Sequence, residues 1–290
     1  MEGSEEMGEF PGFPTAAVAT IEAACGIPVE LKEISYRRGA AVWKATGPDG
    51  AVAVKAGDSE GAAVTQREAT VLDAIGWPDY LLASGDGEGV AWLVTRWFKG
   101  PSTWHAFAPV RADTNGKADA LSASVDLCRA VAALHSSGWV HADLQPSHGI
   151  HTGHGVRLLD CSWSWREGTE PVTGFRGGLT HLVAPELAAS INAGIQPATP
   201  TTAADVYALA GSLWTCATGR WPLDYAAAGL DSGRLTPAEI RAHIASRRIS
   251  LDTAAPWPAI QDILRPVLLD RASDRPTAAE LAETLAKAAT

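Results

Sequence analysis

His141-Ala142-Asp143-Leu144-Gln145-Pro146-Ser147-His148, followed by Val156-Arg157-Leu158-Leu159-Asp160, is the stretch of this sequence on which the fold turns. The second segment reads as an apolar strand that ends in a carboxylate, and the first sets a carboxylate, Asp143, between two histidines. An isolated aspartate in such a setting is usually a helix cap or a solvated surface group. The surroundings of this pair argue for more. Upstream, Val52-Ala53-Val54-Lys55 places a lysine at the end of an apolar strand, just after the turn Gly47-Pro48-Asp49-Gly50. Further on, Glu68 begins the helical run Glu68-Ala69-Thr70-Val71-Leu72, where its carboxylate could face that amine. Downstream come Ala184-Pro185-Glu186, then Ala204-Asp205-Val206-Tyr207-Ala208-Leu209 opening a helix, and Asp274-Arg275-Pro276-Thr277 opening the last one.

Outward from these motifs, the front third of the chain reads as strands with few helices. The spacing of Val18, Ile21 and Cys25 predicts a short helix over Thr15–Cys25, stopped by Gly26 and Pro28. Ala40–Ala45 and Ala51–Lys55 form a β-hairpin, a helix follows over Gly61–Ile75, and Tyr80–Ala83 and Val90–Phe98 are extended. Behind Phe98 the pattern becomes helical. Leu121, Val125, Leu127, Cys128, Val131 and Leu134 share one stripe of Ala118–Ser136, and Ala203–Thr218 and Thr277–Ala288 are likewise helical. No repeat or low-complexity segment interrupts the pattern. The expected class is therefore α+β, with an acidic tail over 1–14, a small β-rich lobe over 15–98 and a larger helical lobe over 99–290.

With 46% hydrophobic and 19% charged residues among 290, the chain has the composition of a folded protein with a substantial core. A net charge of −10 repels nucleic acid and anionic membrane surfaces, so neither is an expected partner. No apolar run approaches the roughly 20 residues of a membrane span. The acidic start MEGSEEMGEF lacks the features of a secretory signal, and the expected location is the cytoplasm. Cys25, Cys128, Cys161 and Cys216 form no CxxC pair and read as reduced thiols. The eleven tryptophans are expected to fill core and interlobe surfaces.

Taken together, the ordered motifs resemble the eukaryotic-like protein kinase family, from about Glu30 to Leu285. The resemblance implies a bilobal fold and ATP as cofactor with magnesium or manganese. Lys55 would hold the α- and β-phosphates, Glu68 would pair with Lys55, Asp143 would take the proton of the attacking hydroxyl, and Asp160 would hold metal. His141 would anchor the catalytic loop, Asp205 would brace it, and Glu186 would pair with Arg275. Trp92–Phe98 resembles the hinge, with Thr95 as gatekeeper and the backbone of Arg96 and Phe98 facing adenine. A lysine from the front sheet and two acids from the helical lobe would thus converge on one triphosphate.

Several positions depart from the family pattern. Ser35, Arg37 and Ala40 stand where it has three glycines, leaving Gly39 nearby and Arg37 or Arg38 to compensate by a side-chain contact to phosphate. Gln145 replaces the catalytic-loop lysine, which implies a slower chemical step. His148 replaces the metal-binding asparagine, and an imidazole ligand implies a preference for manganese. Asp160-Cys161-Ser162 keeps the metal-binding carboxylate alone, and Leu179 stands in for a threonine that contacts the catalytic aspartate. Ser162, Ser164, Thr169, Thr173 and Thr180 read as ordinary loop hydroxyls with regulatory phosphorylation as the alternative. The four histidines 141, 148, 151 and 154 lack zinc spacing, and His151 and His154 fit a strand turn better.

The resemblance implies ATP-dependent phosphorylation of a Ser or Thr hydroxyl in a peptide or protein. Two alternatives stay open: a pseudokinase that serves as a partner-binding scaffold, and a small-molecule phosphotransferase of the aminoglycoside or choline kinase type. The arrangement is also similar to stand-alone kinases of lanthipeptide-type biosynthesis, which implies a precursor peptide as substrate and a lyase as stable partner.

Overall fold

A computed structural model describes residues 12–37, 39–171, 174–254 and 256–288. The chain packs as two compact units, Met1–Phe98 and Lys99–Thr290. In the first, a 3-10 turn over Thr15–Ala17 leads into helix α1 (Val18–Cys25). Gly26, at φ 74°, ends that helix, and a side chain there would strike Asp49 in the β2–β3 turn. Strands β1 (Glu30–Arg37), β2 (Ala40–Gly47) and β3 (Gly50–Asp58) follow, then helix α2 (Ser59–Ile75), β4 (Leu81–Gly87) and β5 (Val90–Arg96). They form one five-stranded antiparallel sheet in the order β1-β2-β3-β5-β4.

Strand alternation decides what each face of this sheet carries. Ala41, Trp43 and Ala45 on β2, with Val52, Val54 and Ala56 on β3, are buried in one cluster with Ile21 and Cys25 of α1. Lys55 lies between Val54 and Ala56 and so points to the opposite face, where α2 packs. The sheet is therefore covered by α1 on one side and α2 on the other.

Several element ends differ from the sequence reading, among them β5, which stops at Arg96, short of Phe98. Helix α2 starts at Ser59, two residues ahead of Gly61, directly after the strand. Strand β4 runs on to Gly87, beyond Ala83, because Gly85 lies flat against the Trp92 indole and the pair Glu88-Gly89, both at positive φ, makes a two-residue hairpin turn. Gly85 serves close packing and Gly89 the turn, past the Ala83 end expected from the sequence.

The second unit opens with short helices α3 (Thr103–Ala106) and α4 (Ala108–Arg111) and the long α5 (Lys117–Ser136). Strand β6 (Trp139–Val140) pairs with β9 (Trp165–Arg166), and β7 (Gly149–Thr152) with β8 (Gly155–Leu158). Helices α6 (Pro185–Asn192), α7 (Thr202–Thr218), α8 (Pro237–Ser246), α9 (Pro258–Leu269) and α10 (Ala278–Lys287) complete it. The α+β class is thus as expected: a strand-rich first unit and a helical second one.

Helix α7 is the buried axis of the second unit. The Thr201 side chain caps its start through the Ala204 amide, Gly219 in the left-handed region ends it, and Leu209, Ala210, Leu213, Trp214 and Cys216 are fully buried. Helices α8 and α10 each start with a full capping box, Thr236–Glu239 and Thr277–Glu280. All four cysteines are buried free thiols. Trp43, Trp139, Trp214 and Trp257 are buried, and the other seven tryptophans are half-buried. Among the described residues, no helix is long and apolar enough to cross a membrane.

Candidate functional site

In the second unit the site is built around Asp205, in the first turn of α7. Its carboxylate, 2% exposed, accepts the backbone N–H of His141 at 2.7 Å and of Ala142 at 2.8 Å, and His135 Nε2 of α5 at 3.0 Å. A helix N-terminus favours a carboxylate, and three donors satisfy this one. Ala142 sits at φ 66°, a left-handed conformation that costs a residue with a side chain about 1–2 kcal/mol. The two bonds from Asp205 hold it there, and the turn presents Asp143 next.

His141 is fully buried, and its hydrogen bonds define its tautomer. Nε2 donates to the Leu159 carbonyl at 3.1 Å, while Nδ1 accepts the Asp143 N–H at 3.3 Å. The ring is therefore neutral. Burial depresses its pKa, and the nearby Asp205 and Asp160 charges and the Leu159 carbonyl only partly oppose this. The Ser164 hydroxyl donates to the His141 carbonyl at 3.0 Å and ties the chain after β8 to the same turn.

Asp143 Oδ1 accepts the Leu179 backbone N–H at 3.1 Å and Gln145 Nε2 at 3.3 Å. Gly178 lies so close that a Cβ there would overlap the carboxylate oxygen. The backbone of Leu179 thus makes the contact for which its side chain is unsuited, and Gln145 keeps a hydrogen bond without a positive charge.

Next to Asp143, His148 Nδ1 meets the Asp143 carbonyl at 2.9 Å, and its Nε2 lies 3.7 Å from Asp160 Oδ2. Asp160 adopts φ 56° and ψ 61°, and Ser162 Oγ donates to its Oδ1 at 3.1 Å. Ligand-capable atoms of Asp143, His148 and Asp160 lie within 4.8 Å of one another. Two carboxylates and an imidazole whose other nitrogen is tied to a backbone carbonyl are a donor set that fits a divalent cation. The four neighbouring histidines do not gather into one site: His141 is spent on the turn, His151 contacts Thr103 Oγ1 at 3.0 Å, and His154 is exposed in the β7–β8 turn.

In the first unit, Lys55 Nζ and Glu68 Oε2 are 2.5 Å apart, with side chains 16% and 8% exposed. Alternation on β3 and the second half of α2 bring them together. Thr95 is buried on β5. The exposed Arg96 gives its N–H to the Tyr80 carbonyl at 3.0 Å, so that amide is used within the protein. Phe98 is half-buried, its ring 4.9 Å from that of Tyr80. Arg38 lies outside the described residues. The adjoining Gly39 carbonyl accepts the Asp58 N–H at 2.9 Å, and Gly61 of α2 lies directly against it.

Glu186 at the start of α6 makes a bidentate pair with Arg275, at 2.6 and 2.8 Å. Burial works to raise the Glu186 pKa, but the bonds from Arg275 and from backbone, with the charges of Arg275 and Arg247, outweigh it and hold it below the usual range. A cavity of about 620 Å³ opens beside the turn that carries Asp143, lined by Gln145, Leu179, Trp104, Trp221, Asp224 and Tyr225 among others. Ser162 and Ser164 are buried, Thr169 is exposed, and Thr173 lies outside the described residues.

Sequence reasoning missed His135, the Gly178 contact and the Leu179 amide. His135 closes a helix like many surface histidines, and a backbone donor leaves no signature in residue type.

No family model matches the chain. The chain is similar to the serine/threonine-protein kinase pkn2 of Myxococcus xanthus, at 26% identity over 248 residues, which is 77% of this chain and 27% of that protein. The chain therefore spans about a quarter of the length of the curated relative it matches, and the relationship is a distant, kinase-like one.

Proposed function

We propose that the chain transfers the γ-phosphoryl group of ATP to a Ser or Thr hydroxyl of a peptide or protein. The observation that carries this reading is the placement of Asp143, whose carboxylate is aimed by Leu179 and Gln145 and lies within 4.8 Å of the donors of His148 and Asp160. In the transfer, the acceptor oxygen forms a bond to the γ-phosphorus, the bond to the β-phosphate oxygen breaks, ADP leaves, and Asp143 takes the hydroxyl proton. Lys55, held extended by Glu68, supplies positive charge for the α- and β-phosphates. A divalent ion, magnesium or manganese, with Asp160 and His148 as ligands, supplies further neutralising charge when bound. The Arg96 carbonyl and the Phe98 backbone are assigned to the adenine. The aromatic-lined cavity beside Gln145 and Leu179 is assigned to residues flanking the acceptor.

Transition states of this kind ask mainly for positioning and positive charge. Gln145 offers no charge where a lysine would, so turnover is expected to be slow. That same substitution, with Ser35, Arg37 and Ala40 in the nucleotide loop, favours the second reading, a scaffold that binds nucleotide without turning it over.

The test combines thermal stabilisation by ATP and metal with transfer of labelled phosphate to peptide pools. Asp143→Asn is expected to bind ATP as wild type does and to lose transfer by roughly 10²–10⁴-fold. Binding without transfer to any acceptor would select the scaffold. Transfer to an amino sugar or choline, with none to peptides, would select a small-molecule phosphotransferase.

A further inference from the structure

We propose that the cavity between α5, α9 and α10 is a binding site for a medium-chain aliphatic carboxylate. It lies wholly in the second unit, and none of its lining residues belongs to the site around Asp143. The inference goes beyond the phosphoryl-transfer reading and does not rest on it.

The cavity measures about 260 Å³. Its buried part is made by Leu121 of α5 with Trp257 and Ile260 at the start of α9, each less than a tenth exposed. Half-buried Ile263 continues this surface, and exposed Lys117 and Ala259 stand at the rim. Phe107 backs Trp257, with ring centroids 6.2 Å apart, so the indole is held in place before any ligand arrives. A buried water needs several polar partners, and alkyl and aromatic walls supply none. An apolar cavity of roughly 150 Å³ takes up benzene, so about 260 Å³ admits about ten non-hydrogen atoms. That is the size of an eight- to ten-carbon chain.

The rim selects the head group. Of the lining residues, Lys117 alone carries a charge, and among the described residues its amine has no ion-pair partner. Lys117 opens α5, while Ala259 and Ile260 lie in the first turn of α9, and neither helix start has a side-chain cap. The N-terminal ends of two helix dipoles thus add to the charge of the amine. Helix α10 brings the opposite end of its dipole at Ala288, with Lys287 in its last turn. Asp119 and Asp262 are exposed nearby in sequence but do not line the cavity. The balance at the rim favours an anion, and one amine matches the charge of one carboxylate.

The experiment uses the full chain without nucleotide, labelled at its isoleucine methyls. Hexanoate, octanoate, decanoate and dodecanoate are titrated below their micellar concentrations and the methyl resonances followed. Expected are saturable shifts at Ile260 and Ile263, with affinity rising about fourfold per methylene as far as decanoate and levelling off beyond it. Octanoate is expected to bind at least about fivefold more tightly than octylamine, with octanol between them. Lys117→Met, a change at an exposed position, is expected to remove most of the advantage of octanoate over octanol and to leave octanol binding as it was. No saturable shift at the two methyls, or an amine bound as tightly as the carboxylate, would overturn the proposal. Shifts that follow protein concentration without ligand would assign the cavity to a second copy of the chain and overturn it as well. Saturable, carboxylate-selective binding by a protein that transfers no phosphate would leave it standing and bear only on the phosphoryl-transfer reading.

Discussion

Asp143 Oδ1 accepts one hydrogen bond from the Leu179 backbone and one from the Gln145 side chain. The Leu179 bond is a backbone amide at 3.1 Å, and it exists only because residue 178 has no side chain. Gly178→Ala would push a methyl group into the carboxylate. Displacing a catalytic group by about 1 Å can cost a hundredfold in rate, so this variant is expected to lose about that much kcat with little change in KM for ATP. An unchanged kcat would show that the Leu179 contact does not aim the carboxylate. Asp143 and Asp160 were legible in the sequence because carboxylates at these chemical positions are carried by residue identity. The Leu179 amide was not, since every residue but proline has one.

At the scale of elements, three glycines scattered through the first unit bring backbone against backbone. Gly39 in the β1–β2 turn, Gly57 on β3 and Gly61 on α2 pack backbone to backbone, and a Cβ on Gly57 or Gly61 would overlap main-chain atoms of its neighbour. Two effects compete in Gly61→Ala. Helix propensity favours alanine by about 1 kcal/mol, while forcing a methyl against the Gly39 carbonyl costs typically 1–3 kcal/mol. Backbone atoms cannot move aside as a flexible side chain would, so the clash is expected to win and the melting temperature to fall. A raised melting temperature would show that the β1–β2 turn shifts freely. Since the Gly39 carbonyl also receives the Asp58 amide, loosening this contact is expected to weaken ATP binding more than the acid–base step. These three glycines serve packing of the turn on α2, a role unlike that of a glycine run read from the family pattern.

For the molecule as a whole, one buried and two half-buried histidines shape the response to acid. Burial lowers the pKa of His141 and of His151, the latter opposed by Asp126, and brings His181, stacked on Trp221 at 4.3 Å, down to about 4. A histidine whose folded pKa lies below its unfolded value near 6.5 binds its proton first in the unfolded chain. Its contribution is therefore complete above pH 6.5 and is lost as pH falls toward the folded value. Glu186, held low by Arg275 against the effect of burial, adds a second loss below its ordinary range near 4.5. The urea midpoint is expected to hold steady from pH 8 to 7 and to drop progressively from 6.5 to 4, with His181→Phe flattening part of the slope. A midpoint unchanged between pH 7 and 5 would contradict this account. The Glu186–Arg275 pair spans 89 residues of sequence, and the guanidinium also reaches the Ala203 and Asp270 carbonyls, so the loss on protonation is felt by several helices at once.

Periodicity and motif order determined by themselves the α+β class, the strand-rich front and helical back, and the facing of Lys55 and Glu68, and they singled out Asp143 and Asp160. These follow from alternation along strands, stripes along helices and the chemistry of side chains, all of which are local. Only the tertiary structure decided the tautomer of His141, the backbone donor at Leu179, the bond from the Arg96 amide to Tyr80 and the glycine contacts beneath the β1–β2 turn. Each depends on a main-chain atom brought up from a distant part of the chain, and main-chain atoms are the same in every residue.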